Sequence, residues 1–342
     1  MLLKRLTDAC GMPGGEGEVR EIILEEIKKY VDDIKIDRLG NIIATKNGKP
    51  GYPKVMIAAH MDEVGLMVKS IDEGGFIKFA QAGGLDERIL VSKPVLVGKN
   101  KIQGVIGAKA IHLQEKDERE TPLKTKQLYI DIGAKSKEDT EKLVKLGDYV
   151  AFDSEYVEFG NNLVKAKALD DRAGCAALIE TLKHEYNVTI VAAFTVQEEI
   201  GLRGATVAAY NINPDIALVL EGTLCSDVSN VPEHSYITKL GNGPAISLMD
   251  SRTIFPKNLA KRIFDLAVKN GVDIQYRLPS PGGNDAGAIH TIREGVPCAA
   301  ISVPCRYIHS PASVMSKDDF EGLKKVVKLF LEDIKEGEYI RD

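Results

Sequence analysis

The nine residues 188–196, Val-Thr-Ile-Val-Ala-Ala-Phe-Thr-Val, carry no charge and lead directly into Gln197, Glu198 and Glu199. Nine residues fall well short of the ~20 needed to cross a bilayer. An apolar run this short and rich in β-branched residues reads as a strand buried on both faces, as in a parallel sheet. Runs 55–59, 216–220, 245–249 and 299–303 have the same character. They alternate with helix candidates at 172–183, 203–210, 257–270 and 285–293, and amphipathic helices are expected at 16–33 and 317–334. The pattern predicts an α/β chain, a mixed sheet flanked by helices on both faces.

Residues 67–155 differ. Glycine stands at 74, 75, 83, 84, 98, 104, 107, 133 and 147, between strand-like pieces at 76–81, 95–97, 103–106, 128–132 and 149–152. One helix is expected there, at 136–146, and the highly charged segment 112–127 reads as a mobile surface loop. The 342 residues therefore divide into a discontinuous α/β domain, 1–66 with 156–342, and a small β-rich insert, 67–155.

Lys and Arg total 45 against 50 Asp and Glu, for a net charge of −5, and the basic residues are scattered. That balance lacks the footprint of a nucleic-acid binder. The start MLLKRLTDACGMPGG has no signal-peptide core, so a soluble, cytoplasmic chain is expected, with no membrane partner. The five Cys residues, 10, 175, 225, 298 and 305, are widely spaced and form no C-x-x-C pair. They read as small buried hydrophobes rather than a disulfide framework or thiolate metal site.

Chemistry gathers where the strands end. His60, with Asp62 two residues on, closes 55–59; Glu198 and Glu199 follow 188–196; Glu221 follows 216–220; His309 follows 299–303. Asp170 and Asp171 stand at a fifth junction, before an alanine-rich helix that either could cap. Each site alone has an ordinary explanation as a strand-end histidine, a cap or a polar loop. Their repetition does not, because strand ends are where α/β sheets present ligands and catalytic groups. Two His and three carboxylates suffice for two divalent cations, each with one imidazole, one carboxylate of its own and a share of a bridging Asp. Imidazole and carboxylate without thiolate suit Zn²⁺ or Co²⁺, with Mn²⁺ a third candidate. Of the adjacent glutamates, one can ligate while its neighbour serves as general base. Such a pair of cations lowers the pKa of a water held between them and polarises an amide carbonyl, the chemistry of peptide hydrolysis. His112, His184, His234 and His290 lie in ordinary surroundings. The turn 281–287 opens a helix with backbone N–H groups that could meet a substrate carboxylate or carbonyl.

His60-Met61-Asp62-Glu63-Val64-Gly65, Leu169-Asp170-Asp171-Arg172, Gln197-Glu198-Glu199-Ile200-Gly201, Glu221-Gly222-Thr223, Gly283-Asn284-Asp285-Ala286 and Arg306-Tyr307-Ile308-His309-Ser310-Pro311 resemble, in order and context, the tetrahedral aminopeptidases, which include glutamyl and deblocking aminopeptidases. The resemblance spans nearly the whole chain and implies a zinc-exopeptidase-like catalytic domain with an inserted PDZ-like β-barrel used in dimerisation. It implies that His60 and Glu221 hold one metal, Glu199 and His309 the other, and that Asp170 bridges. Glu198 would be the general base on the metal-bridging water, and Asp62 would orient His60. It also implies short peptides as substrates and self-assembly through dimers into hollow, usually dodecameric particles. Asn284 departs from the Thr of many members, and Glu221 from the Asp of some.

Two other readings belong to different classes. Some members of this family carry a cellulase label, but a glycoside hydrolase needs two carboxyl groups facing each other across a sugar, with no use for two strand-end histidines. A metal-stabilised, non-catalytic peptide-binding shell would need closed four-ligand sites, whereas five residues shared by two cations leave room for water.

Overall fold

The computed structural model describes residues 1–280 and 282–338. Its core is a sheet whose four central strands run parallel: Thr189–Thr195, Lys54–His60, Ile216–Leu224 and Cys298–Arg306, in that spatial order. Alternate side chains on these strands enter opposite cores. Val55, Ile57, Ala59, Ile190, Ala192 and Phe194 pack on one face, Met56, Ala58, Val191 and Ala193 on the other. This two-sided burial is why the runs are continuously apolar. On the first face lie the helices Leu2–Asp8, Gly17–Ile27, Leu169–Leu182, Lys257–Lys269 and Lys317–Asp333. Arg203–Ile212 and Ala286–Ile289 cover the second.

The outer strands are antiparallel and make the sheet mixed. Ile42–Lys46 and Asp33–Ile36 extend one side; Ser313–Ser316, Leu163–Ala166 and Val157–Phe159 extend the other. Ala245–Ser247 branches from Cys298–Arg306 and pairs with Gln275–Arg277. Between His60 and Val157 the chain builds a closed six-strand barrel, ordered Gly65–Ile71, Ile77–Ala82, Tyr129–Asp131, Ile102–Gly107, Pro94–Val97, Tyr149–Phe152. It has its own core of Leu66, Val68, Ile77, Phe79, Val95, Ile130 and Val150, and closure leaves no strand edge open.

Several local expectations are corrected. The first amphipathic helix stops at Ile27 rather than at 33, because Asp33-Ile34-Lys35-Ile36 pairs with Ile42–Lys46 as an edge strand. The helix read at 285–293 is one turn, Ala286–Ile289, closed by left-handed backbone at Arg293 and Gly295. The one read at 136–146 covers only Lys137–Glu141, and Leu146 beyond it is 68 % exposed. Segment 112–127 is exposed but contains a short helix, Lys116–Glu120, started by a Glu115/Glu118 capping box. Cys175, Cys225, Cys298 and Cys305 are buried free thiols, and Cys10 is half-buried. No described helix is long and apolar enough to cross a membrane.

Candidate active site

The parallel register brings the predicted residues together. Thr195 lies opposite His60, so Glu198 and Glu199 emerge beside it, and Ile216–Leu224 carries Glu221 in from the other side. His309 follows Cys298–Arg306 on a loop where both Tyr307 and His309 have left-handed backbone, φ 57° and 56°. Non-glycine residues hold that conformation only where the surroundings fix it. Asp170 comes from across the sheet, and Gly222 makes room for it: a Cβ at 222 would lie 2.8 Å from Asp170 Cβ.

The result is two trios sharing one carboxylate. His60 Nε2 lies 3.4 Å from Asp170 Oδ1 and 3.5 Å from Glu221 Oε2. His309 Nε2 lies 3.4 Å from Asp170 Oδ2 and 3.5 Å from Glu199 Oε2. Both imidazoles donate Nδ1–H to main-chain oxygens, of Asp62 at 3.0 Å and Gly84 at 2.9 Å, which leaves their Nε2 lone pairs facing the carboxylates. Charge-assisted hydrogen bonds would close to about 2.7–2.9 Å. Donors about 2.1 Å from a shared tetrahedral cation stand about 3.4 Å apart, the spacing found. Glu199 Oε1 is buried and has no hydrogen-bond partner among the described residues. The donor set therefore fits divalent cations.

The adjacent aspartates split the tasks left open by the sequence. Asp171 is the one that acts as a cap, accepting N–H bonds from Gly174 at 2.9 Å and His60 at 3.2 Å, while Asp170 faces the imidazoles. Asp62 also does something unforeseen. Its main-chain oxygen takes His60 Nδ1–H, and its carboxylate, 3.6 Å from that nitrogen, accepts the N–H groups of Glu198 and Glu199 at 3.0 and 3.1 Å. It thus fixes the turn that aims both glutamates.

Two further features were missed. Asp285 is buried, accepts the Thr195 hydroxyl at 2.6 Å, and keeps Oδ1 without a partner among the described residues. The signal was present, since an Asp stood in the turn that was read only for its backbone donors. Of those donors, Ala286 N–H is taken by Asn284 Oδ1 and Gly287 N–H by Asn284 O, both at 2.9 Å; Pro281, which has no N–H to give, lies outside the described residues. Behind the site, Glu63 pairs with Lys167 at 2.7 Å and with Arg172 at 3.3 Å, all three buried. Arg172 Nε–H also donates to Met61 O at 2.9 Å, clamping the loop between His60 and Asp62. His112, His184, His234 and His290 join none of the metal-competent groups among the described residues.

Crowding of carboxylates in a buried space shapes the electrostatics. Burial pushes Glu199 up to about 7, against the pull of His309, and Glu221 up to about 8, against the pull of His60. Burial also raises Glu198 well above the carboxylate range and Asp285 to about 6. Burial works against His309 too, but Asp170 and Glu199 outweigh it and hold the imidazole at about 9. Cations must compete with these protons. Raising the pH from 6 to 9 deprotonates Glu199, Glu221 and His309, so metal affinity should climb across that window with release of protons. Calorimetry in buffers of different ionisation enthalpy checks this; an affinity flat in pH would contradict it.

A sheet presenting a carboxylate–imidazole cluster at the carboxyl ends of its parallel strands, with a closed barrel inserted after one of them, defines a specific class of α/β protein. The chain belongs to the M42 glutamyl aminopeptidase family, whose sequence profile matches residues 40–326. It is 42 % identical over 336 residues to a putative aminopeptidase of Acetivibrio thermocellus, covering 97 % of both chains. It is 32 % identical over 344 residues to a lysyl aminopeptidase of Pyrococcus furiosus, covering 98 % of this chain and 97 % of that one. Among solved structures, the TET1 peptidase of Pyrococcus horikoshii, which can assemble into a tetrahedron or a large octahedral shell, superposes with a TM-score of 0.86 at 34 % identity, covering 97 % of this chain and 99 % of that one.

Proposed function

We propose that the protein is a metal-dependent aminopeptidase that removes N-terminal residues from short peptides. The observation that carries the reading is the pair of trios sharing Asp170, with Nε2-to-carboxylate separations of 3.4–3.5 Å. His60 and Glu221 would hold one cation, His309 and Glu199 the other, and Asp170 both. Two bound divalent ions, Zn²⁺ or Co²⁺ before Mn²⁺, would polarise the scissile carbonyl and acidify the attacking water. Glu198 lines the open cleft, and among the described residues its carboxylate accepts no hydrogen bond. Raised well above the ordinary carboxylate range by burial, it is suited to take a proton from that water and return it to the leaving amine. Asp62 holds Glu198 in place through the backbone, and Asp171 does the same for His60.

In this reading residues 1–66 and 156–342 form the catalytic domain, and 67–155 mediates self-association into dimers and, from them, a dodecamer. The TET1 relative's shells support the assembly, and the free thiols fit a reducing cytoplasm. Protein stripped with a chelator should be inactive on aminoacyl anilides, and refilling with Zn²⁺, Co²⁺ or Mn²⁺ should restore hydrolysis. A metal-replete protein inert across a broad panel would overturn the reading, as would glucan hydrolysis that survives the chelator.

A further inference from the structure

The Glu198–Glu199 turn is held at more points than Asp62 supplies. Four consecutive N–H groups leave the end of Thr189–Thr195, and each meets a buried side chain. Val196 N–H donates to Asn41 Oδ1 at 2.9 Å, Gln197 N–H to Glu16 Oε1 at 3.2 Å, and those of Glu198 and Glu199 to Asp62 at 3.0 and 3.1 Å. Asn41, Glu16 and Asp62 are each no more than 2 % exposed. A strand that ends in solvent needs no such cradle, because water satisfies its free donors.

The two acceptors ahead of Asp62 are themselves fixed. Asn41 Nδ2 donates to Asp37 Oδ2 at 2.7 Å and to Gly204 O at 3.0 Å, which turns its Oδ1 toward Val196. Gly204 makes room, since a Cβ there would collide with Asn41 Oδ1. Glu16 precedes the helix Gly17–Ile27. Its Oε1 also accepts Gly14 N–H at 2.7 Å, so the carboxylate is clamped between its own turn and residue 197. Arg20, one turn into the helix, lies 3.9 Å from Glu16 Oε2 and donates Nε–H to Gly40 O at 2.9 Å. That ties the helix of Glu16 to the loop of Asn41.

The grip at 197 falls where the backbone most needs it. Gln197 has φ 57°, a left-handed conformation that a non-glycine residue keeps only where its surroundings over-determine it. The turn then closes through Gly201 N–H and Leu202 N–H onto Glu198 O, at 2.8 and 2.9 Å. Were residue 197 to relax to ordinary backbone, the rest of the turn would swing and carry the Glu198 side chain with it. Asp62 resists that only from residue 198 onward. Glu16 acts one residue earlier, on the strained residue itself. It does not line the cleft beside Glu198, so its effect on the reaction passes through the main chain.

We propose that Glu16 is a positioning residue for the general base: its carboxylate locks Gln197 in left-handed backbone and so aims Glu198 into the cleft. Asn41 anchors the same turn from the strand side. The proposal rests on the aminopeptidase reading above, which gives Glu198 its task. Its rival is a purely structural Glu16 that holds the first two helices together and leaves the turn alone.

The test uses Glu16→Gln, which keeps the accepting oxygen, and Glu16→Met, which keeps only the volume. In the metal-loaded protein, Glu16→Met should lower kcat on Leu anilide by about 10- to 100-fold, the cost of a displaced catalytic group, with KM and metal content within about twofold of natural. Glu16→Gln should recover kcat to within about threefold of natural, because its amide oxygen can accept the same two N–H groups. A second readout needs neither metal nor turnover. Amide exchange at Gln197 and Glu198 in the metal-free protein should quicken at least about tenfold in Glu16→Met, the worth of a hydrogen bond to a charged acceptor, while the strand Lys54–His60 is unchanged. Should Glu16→Met fail to fold, exchange in the natural protein decides, because Gln197 N–H must be as protected as those of Glu198 and Glu199. Fast exchange at 197 in the natural protein, or exchange unchanged in Glu16→Met, would overturn the proposal alone. So would a loss of kcat that tracks metal content or melting temperature, or one that Glu16→Gln does not recover. Inactivity of the natural protein on every anilide would overturn the aminopeptidase reading, and the role of Glu16 with it, whatever the exchange shows.

Discussion

Glu198→Gln is expected to lower kcat by about three to four powers of ten while leaving metal content, melting temperature and KM nearly unchanged. The size follows from what a positioned general base contributes, about 10²–10⁴-fold, taken at its upper end because every other carboxylate in the cluster is engaged through at least one oxygen. Asp170 faces both imidazoles, Glu221 and Glu199 each face one, and Asp171 is committed to backbone N–H groups. Asp285 is held by Thr195. Gln fills the same space and keeps the backbone N–H that Asp62 grips at 3.0 Å, so the turn should persist. It cannot take a proton. A fall in kcat with KM steady marks an interaction made in the transition state rather than in substrate binding. If Glu198→Gln turned over anilides at the natural rate, the base would have to be sought elsewhere, with Asp285 next in line.

What could be read from the chain without coordinates depended on how local the signal was. The central strands were legible because burial on both faces demands uninterrupted apolar residues, as in 188–196. The edge strands Asp33–Ile36 and Val157–Phe159 were missed because an edge strand needs few apolar residues, and the interior strand Ser313–Ser316 because four residues, two of them serine, carry too little pattern. Asp33–Ile36 is half-buried at only one position, and the helix expected at 16–33 ran into its first residue. His60, Glu199, Glu221 and His309 were legible as the charged or titratable residues that follow apolar strands. The pairing of each His with its carboxylates came only with the family resemblance, since from the residues themselves it depends on sheet order and on Gly222 admitting Asp170. Asp62's grip on Glu198 and Glu16's bond to Gln197 join residues 136 and 181 positions apart. No local pattern announces such contacts. Nothing in Gly14-Gly15-Glu16-Gly17 distinguishes its glutamate from any solvated one at a helix start.

Asp170→Asn should weaken both cations at once, a result no other single ligand change should give. Each of its carboxylate oxygens faces a different imidazole at 3.4 Å, and Oδ1 also accepts Gly222 N–H at 3.2 Å, which fixes the group's orientation. The amide removes the shared negative charge and replaces one oxygen with a nitrogen that has no lone pair to give. Even groups that merely orient metal ligands change affinity about 10–100-fold, so loss of a ligand common to two ions should weaken each by at least about 100-fold. Glu221→Gln and Glu199→Gln supply the contrast, because each touches one trio. At a metal concentration that saturates the natural protein, the ion count should fall from two to one in either Glu variant and toward zero in Asp170→Asn. The rise in melting temperature on adding metal, which follows from binding to the folded state alone, should shrink in the same order. Hydrolysis should vanish in Asp170→Asn, and excess metal should not restore it, since added cations cannot replace the charge that held them together. Two tightly bound ions in Asp170→Asn would refute the shared-carboxylate arrangement and require each trio to hold its cation without it.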